Sequence, residues 1–250
     1  MHITRRTLLR RSAFSAAALA LSPLAGAQDR EPSRRLKIVV IGGHPDDPES
    51  AAGGTMARFA DLGHEILAVY LTRGEAGIRG KSHEEAARIR TAEAEEACRI
   101  LGAKPRFAGQ IDGATELNPD RYDGFARLLL AENPDAAFTH WPVDTHRDHR
   151  AASLLTYDAW LKSGRKFALY YFEVMTGSQT QTFHPTDYVN ITATEDRKRK
   201  ACFAHASQNP QEFYEAHALM NRFRGRECGC KYAEAFTHHE QSPAIPLPRD

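Results

Sequence analysis

Long apolar runs, an excess of charge and abundant cysteine are all missing from most of this 250-residue chain. Beyond residue 27 no segment offers the roughly 20 apolar residues that a spanning helix needs, so no membrane span is expected in the mature chain. Lys and Arg number 33 against 32 Asp and Glu, without the basic surface that phosphate-backbone binding requires. The run Arg197-Lys198-Arg199-Lys200 reads as a solvated helix face, and no nucleic acid is expected as a partner. The four cysteines, Cys98, Cys202, Cys228 and Cys230, lack the pairing of a two-cysteine metal site and read as small buried hydrophobes. An oxidising compartment allows a disulfide, yet Cys228-Gly229-Cys230 reads as alternating on a strand with both side chains on one face. No G-x-G-x-x-G follows the first strand-like run, and Pro45 stands where a dinucleotide loop wants a backbone donor. Repeats and interdomain linkers are also lacking.

One apolar stretch does stand out, at the N-terminus. Thr4-Arg5-Arg6-Thr7-Leu8-Leu9-Arg10 precedes an alanine- and leucine-rich stretch from Ala13 to Leu24 and then Ala25-Gly26-Ala27. This is the pattern of a cleaved bacterial export signal, with the paired arginines pointing to the twin-arginine machinery and so to a periplasmic or secreted protein. The stretch is short for a membrane anchor. Removing residues 1–27 takes away Arg5, Arg6, Arg10 and Arg11 and no acids, turning a net charge of +1 into −3. Residues 28–250 are expected to form a single domain, with homo-oligomer formation left open.

The periodicity along that domain predicts strands over about 36–42, 65–71, 106–108, 135–139, 167–174 and 187–191. Helices are predicted over about 50–62, 82–101, 120–132, 151–161, 194–206 and 211–224. Ser82 and Glu85 have capping-box spacing, and Gly102 is a natural stop. Strands alternating with helices imply a Rossmann-like α/β fold, a three-layer α/β/α sandwich around a mostly parallel sheet.

Chemistry concentrates at two strand ends. His44-Pro45-Asp46-Asp47-Pro48-Glu49 follows Ile38-Val39-Val40-Ile41-Gly42-Gly43, and His146-Arg147-Asp148-His149 follows Ala136-Ala137-Phe138-Thr139-His140. Imidazoles and carboxylates from separate strand ends meet in the crevice of such a sheet, where they suit a borderline cation such as Zn²⁺. Adjacent Asp46 and Asp47 point oppositely if the chain is extended, so one can bind metal while the other accepts a proton from water. His146 and His149, three apart, would project from one side of a helical turn. If His149 is a ligand, His146 is placed to meet a developing oxyanion, and Asp148 could orient an imidazole.

These blocks resemble the PIG-L (LmbE-like) deacetylases, zinc hydrolases that remove acetyl groups from N-acetylglucosaminyl compounds. The resemblance rests on His44-Pro45-Asp46-Asp47 with Glu49 and Gly53-Gly54-Thr55, on Leu71-Thr72-Arg73-Gly74-Glu75-Ala76-Gly77-Ile78-Arg79-Gly80, on His146-Arg147-Asp148-His149, and on Gly225-Arg226 with Lys231-Tyr232-Ala233-Glu234-Ala235-Phe236. It implies His44, Asp47 and His149 as ligands of one Zn²⁺ and Asp46 as general base. His146 becomes a protonated electrophilic helper, while Arg79 and Asp112 contact the sugar. Arg147 stands where the family usually has proline, and Cys228 and Cys230 where it has apolar residues. A related amidase acting on a thiol conjugate or other N-acyl compound is the first alternative. An exported zinc- or carbohydrate-binding protein without turnover is the second.

Overall fold

A computed structural model describes residues 34–248, so the segment read as an export signal lies outside the described residues. Strands β1 (Lys37–Gly42), β2 (Glu65–Tyr70), β3 (Lys104–Phe107), β4 (Ala136–His140), β5 (Ala168–Phe172), β6 (Asp187–Asn190) and β7 (Ala233–His238) form one sheet in the order β3-β2-β1-β4-β5-β7-β6. The first five are parallel; β7 runs antiparallel to both β5 and β6. The helices are α1 (Asp47–Asp61), α2 (His83–Leu101), α3 (Pro119–Ala131), α4 (Arg147–Lys162), α5 (Glu195–Ala204) and α6 (Pro210–Cys228).

β1 explains the layering. It is buried on both faces, so its alternation divides two cores rather than core from solvent. Ile38 and Val40 join Met56 and Phe59 of α1, Ala94 and Leu101 of α2, and Ala201 of α5. Val39 and Ile41 join Phe125 and Leu129 of α3 with Leu155 and Trp160 of α4. Each large apolar side chain so enclosed contributes roughly 1.5–3 kcal/mol. β1 pairs with β2 on one side and β4 on the other. The strand order reverses between β1 and β4, and the loops leaving their C-terminal ends diverge there to open a crevice.

Most predicted elements form, with instructive shifts. Ser82 Oγ accepts the Glu85 N–H at 3.2 Å to start α2, and Gly102 ends it at φ 76. α1 begins at Asp47, three residues early, because Pro48 in its first turn has its φ preset for a helix. α4 begins at Arg147 because His146 caps it. Cys228 to Cys230 do not lie on a strand: α6 runs on to Cys228, and the strand follows as β7. Glu234 hid β7 from a reading of apolar alternation, since its carboxylate is buried.

The partner of Glu234 corrects another expectation. Lys198 is not on a solvated face; it is fully buried, with Nζ 2.7 Å from Glu234 Oε1 and 3.2 Å from Asn221 Oδ1. Glu234 also accepts the Gly54 and Thr55 amides of α1 at 2.9 and 2.7 Å. One ion pair thus ties α5, α1 and β7 together. Glu234→Gln leaves a buried ammonium uncompensated and is expected to cost about 3–5 kcal/mol in urea unfolding, more than the Lys198→Met/Glu234→Gln double variant costs.

Candidate metal centre and active site

The site starts where β1 stops. A Cβ on Gly42 would lie 2.6 Å from Pro48 Cδ and 2.7 Å from Asp47 Cβ, so only glycine lets α1 fold back this tightly on the strand end. Asp46 takes the left-handed region, φ 111 and ψ −27, and Asp47 becomes the first residue of α1. The two carboxylates are therefore parted by this left-handed turn and not, as an extended chain implies, by strand alternation.

Asp47 is the hub. Its Oδ2 accepts the His44 backbone N–H at 2.8 Å and lies 3.2 Å from His44 Nδ1, while Oδ1 lies 3.3 Å from His149 Nε2. Each imidazole rests its other nitrogen on a further carboxylate. His149 Nδ1 is 3.1 Å from Asp144 Oδ1, and His44 Nε2 is 3.1 Å from Asp148 Oδ2 and 3.2 Å from Asp112 Oδ1. That carboxylate–histidine pairing is how proteins fix the tautomer and raise the basicity of metal-binding imidazoles. His140, the last residue of β4, stacks on His149 with ring centroids 4.0 Å apart. Its Nε2 accepts the Gly43 N–H at 3.0 Å yet faces Asp47 Oδ2 at 3.3 Å. Two acceptors thus oppose each other, an arrangement that a nearby cation relieves.

Among the described residues, donor atoms lie within 4.8 Å of one another in three overlapping sets: His44, His146 and His149; Asp47, His140 and His149; and His44, Asp112 and Asp148. The predicted ligands His44, Asp47 and His149 span the first two. Nitrogen and oxygen donors of this kind fit Zn²⁺ or a similar borderline ion.

The charges agree. Burial opposes protonation of His149, but Asp47 and Asp144 prevail and lift it to about 9. His44 is likewise buried and is raised well above its ordinary value by Asp112, Asp148 and Asp47. Burial works against the Asp47 charge too, yet His149 and His140 hold its carboxyl well below the usual range. Without metal, His44 and His149 carry protons as the site's positive charge.

Asp46 stands apart from this hub. Its Oδ2 accepts from Arg90 Nη2 at 2.9 Å, and the same nitrogen donates to the Pro45 carbonyl. Enclosure raises the Asp46 pKa, with Arg90 pulling the other way. Arg90 is buried on α2, and a Cβ on Gly74 or Gly77 would lie 2.4 Å from its Nη1. The glycine-rich segment is thus a sheath around the arginine that holds Asp46. Its own Arg79 is exposed and does not line the cavity, so the structure does not bring that residue to the cluster.

His146 does reach it, but as the N-cap of α4 rather than from the helical turn expected. Its Nδ1 accepts the Asp148 N–H at 3.3 Å, and its ring lies 4.6 Å from that of His44 and 4.7 Å from that of His149. Burial, then the neighbouring imidazoles, lower its pKa. The protonated helper expected is therefore a neutral imidazole, with Nε2–H left as the donor. Asp148 also accepts from Thr115 Oγ1 at 2.6 Å and Gly113 N at 2.8 Å. Arg147, at a helix position that suits proline, instead donates to the Gly113 and Thr115 carbonyls at 3.3 and 3.4 Å, fastening the Asp112 loop.

A cavity of about 690 Å³ opens over these groups. One side holds His44, Asp46, Asp112, His146 and His149; the other is formed by Val174, Met175 and the α5–α6 residues Cys202, His205, Phe213, Tyr214 and His217. Arg90, His140, Asp144 and the α5–α6 wall escaped the sequence reading. Arg90 had a signal, since it shares a helix face with Ala86, Ala94 and Ala97, where an arginine must be buried and paired.

The profile of the PIG-L family, described as GlcNAc-PI de-N-acetylase, matches residues 39–160, which hold both clusters. The chain belongs to the PIG-L family. Diacetylchitobiose deacetylase of Thermococcus kodakarensis is 28% identical over 216 residues, 79% of this chain and 81% of that protein. Of solved structures, the conserved protein TT1542 of Thermus thermophilus superposes with a TM-score of 0.74 at 30% identity, covering 86% of this chain and 100% of that one. N,N'-diacetylchitobiose deacetylase of Pyrococcus horikoshii gives 0.73 at 26% identity, covering 84% and 88%. The α5–α6 wall of this PIG-L cavity lies beyond the span that the profile matches.

Two outcomes follow from the charges. Metal uptake must displace the His149 proton, and that of His44 as well, so affinity should fall as pH drops below about 9. The fall should be about tenfold per pH unit for each displaced proton, read by competition with a chelator at several pH values. Removing the Arg90 charge lets the Asp46 pKa rise further. In Arg90→Gln the acidic limb of the pH–rate profile should therefore move to higher pH.

Proposed function

We propose that this protein is a metal-dependent amide hydrolase that removes the N-acetyl group from an N-acetylglucosamine-type sugar or glycoconjugate, with one Zn²⁺ held by His44, Asp47 and His149. The observation that carries this reading is the division of neighbouring carboxylates: Asp47 is drawn into the imidazole cluster, while Asp46 faces the cavity on Arg90. Zinc held by these residues would supply Lewis acidity, bringing the pKa of water toward roughly 7 and polarising an amide carbonyl. Asp46 takes the proton of the attacking water, its raised pKa making it a better base than an ordinary carboxylate. His146, its Nδ1 occupied by the helix amide, presents Nε2–H to the carbonyl oxygen as negative charge develops there. The protonated Asp46 then returns its proton to the leaving amine. Asp112, beside His44 at the cavity edge, is left to meet sugar hydroxyls.

The export-type pattern of residues 1–27 supports a periplasmic or secreted protein carried by the twin-arginine machinery. Its substrate would then be an envelope, extracellular or imported glycan. Homologous deacetylases of N-acetylated sugars favour this substrate class over a thiol conjugate.

The test is to measure bound metal, then acetate release from N-acetylglucosamine, its oligomers, glycoconjugates and an N-acylated thiol conjugate, with and without a chelator. Release from the sugars that a chelator abolishes is expected; chelator-insensitive release, or none from any sugar, would sink the reading. Asp46→Asn should keep its zinc and lose about 10²–10⁴ in kcat.

A further inference from the structure

The four cysteines divide into two kinds. Cys98 and Cys202 are buried, and burial pushes both thiols well up. Cys228 is exposed and Cys230 half-buried, with their sulfurs 3.5 Å apart across Gly229. We infer that Cys228 and Cys230 are a reversible dithiol–disulfide pair at the turn between α6 and β7.

The turn holds the pair ready. Gly229 ends α6 at φ 82, the left-handed conformation that folds residue 230 back over the helix end. The backbone there packs hard onto Gly225, where a Cβ would lie 2.7 Å from the carbonyl oxygens of Cys230 and Lys231. The Cys230 amide donates to the Gly225 carbonyl at 2.8 Å. Both thiols also reach backbone carbonyls, Cys228 Sγ at 3.8 Å from Gly225 O and Cys230 Sγ at 3.2 Å from Tyr232 O. Oxidation removes those S–H donors but orphans neither carbonyl: Gly225 O keeps the Cys230 amide, and Tyr232 O keeps the Ile191 amide at 2.9 Å. The bridge therefore forms at little cost to the surrounding bonds.

A low-molecular-weight thiol disulfide, such as oxidised glutathione, supplies the oxidising equivalent. One cysteine thiolate attacks it, forming a mixed disulfide and expelling one small thiol. The second cysteine attacks the protein-side sulfur, forming the Cys228–Cys230 bond and expelling the other small thiol. Two protein S–H bonds and one external S–S bond become one protein S–S bond and two external S–H bonds, with no net electron or proton left over. A ring closed over so few residues is short, and strained or exposed bridges are the ones that reduce readily. Neither cysteine lines the cavity, so the pair is separate from the amide chemistry.

The full chain can be equilibrated in glutathione buffers from fully reduced to fully oxidised, quenched in acid and alkylated under denaturing conditions. Mass spectrometry should count four alkylated cysteines in reduced buffer and two in oxidised buffer, and the peptide with residues 228–230 should be two hydrogens lighter. Dithiothreitol should restore all four. Cys228→Ser and Cys230→Ser should each show one glutathione adduct on the remaining cysteine in place of the bridge. Four free thiols in the most oxidising buffer, adducts on both cysteines without a bridge, a bond to Cys98 or Cys202, or a bond between chains would each overturn the assignment.

Discussion

At φ 111, Asp46 occupies backbone space that costs an L side chain on the order of 1–3 kcal/mol, and the surroundings hold it there. Gly42 admits the fold-back, Pro48 starts the helix at once, and Arg90 grips both the Pro45 carbonyl and the Asp46 carboxylate. Had the chain continued extended, Asp46 and Asp47 would have alternated across a strand and α1 would have begun a turn later. The left-handed turn instead sends Asp47 among the histidines, at the N-terminal end of α1 where the helix dipole favours a carboxylate. It leaves Asp46 at the cavity with a different partner and a carboxyl pKa shifted in the opposite direction.

The rest of the site is a charge balance built around that turn. Asp47, Asp112, Asp144 and Asp148 surround His44 and His149, drawing positive charge into the crevice as protons or as a metal ion. Metal binding and proton release are therefore one equilibrium at this position. The same crevice is dictated by topology: the parallel strands β1 and β4 deliver His44 and His140 to adjacent ends, and the N-terminus of α4 delivers His146 and His149. The glycines of the 73–80 segment serve this balance indirectly, by leaving room for Arg90.

Much of the fold is legible in the sequence because its signals are local. The alternating apolar strands, the capping box at Ser82 and the stop at Gly102 each depend on residues a few positions apart. β7 escapes such a reading because its buried Glu234 looks solvent-facing until Lys198 is beside it, and Lys198 misleads in turn as one of four basic neighbours. The motif around Arg79 points to a substrate contact, yet the residue of consequence beside that loop is Arg90, on another element. The family resemblance implies a protonated His146; the helix amide that occupies its Nδ1 exists only once α4 has begun at Arg147.

By itself, then, the sequence determined the order of the elements as far as α6, the parallel α/β architecture and the pairing of two histidine–aspartate clusters at strand ends. Periodicity and strand-end placement are properties of nearest neighbours along the chain. Only the tertiary structure decided which carboxylate joined the imidazoles, that Asp144 and Asp148 back them, and that Arg90 holds Asp46. Those assignments rest on distances of about 3 Å, among them His44 to Asp148 and Asp46 to Arg90 dozens of positions apart, together with one backbone angle that no residue preference demands.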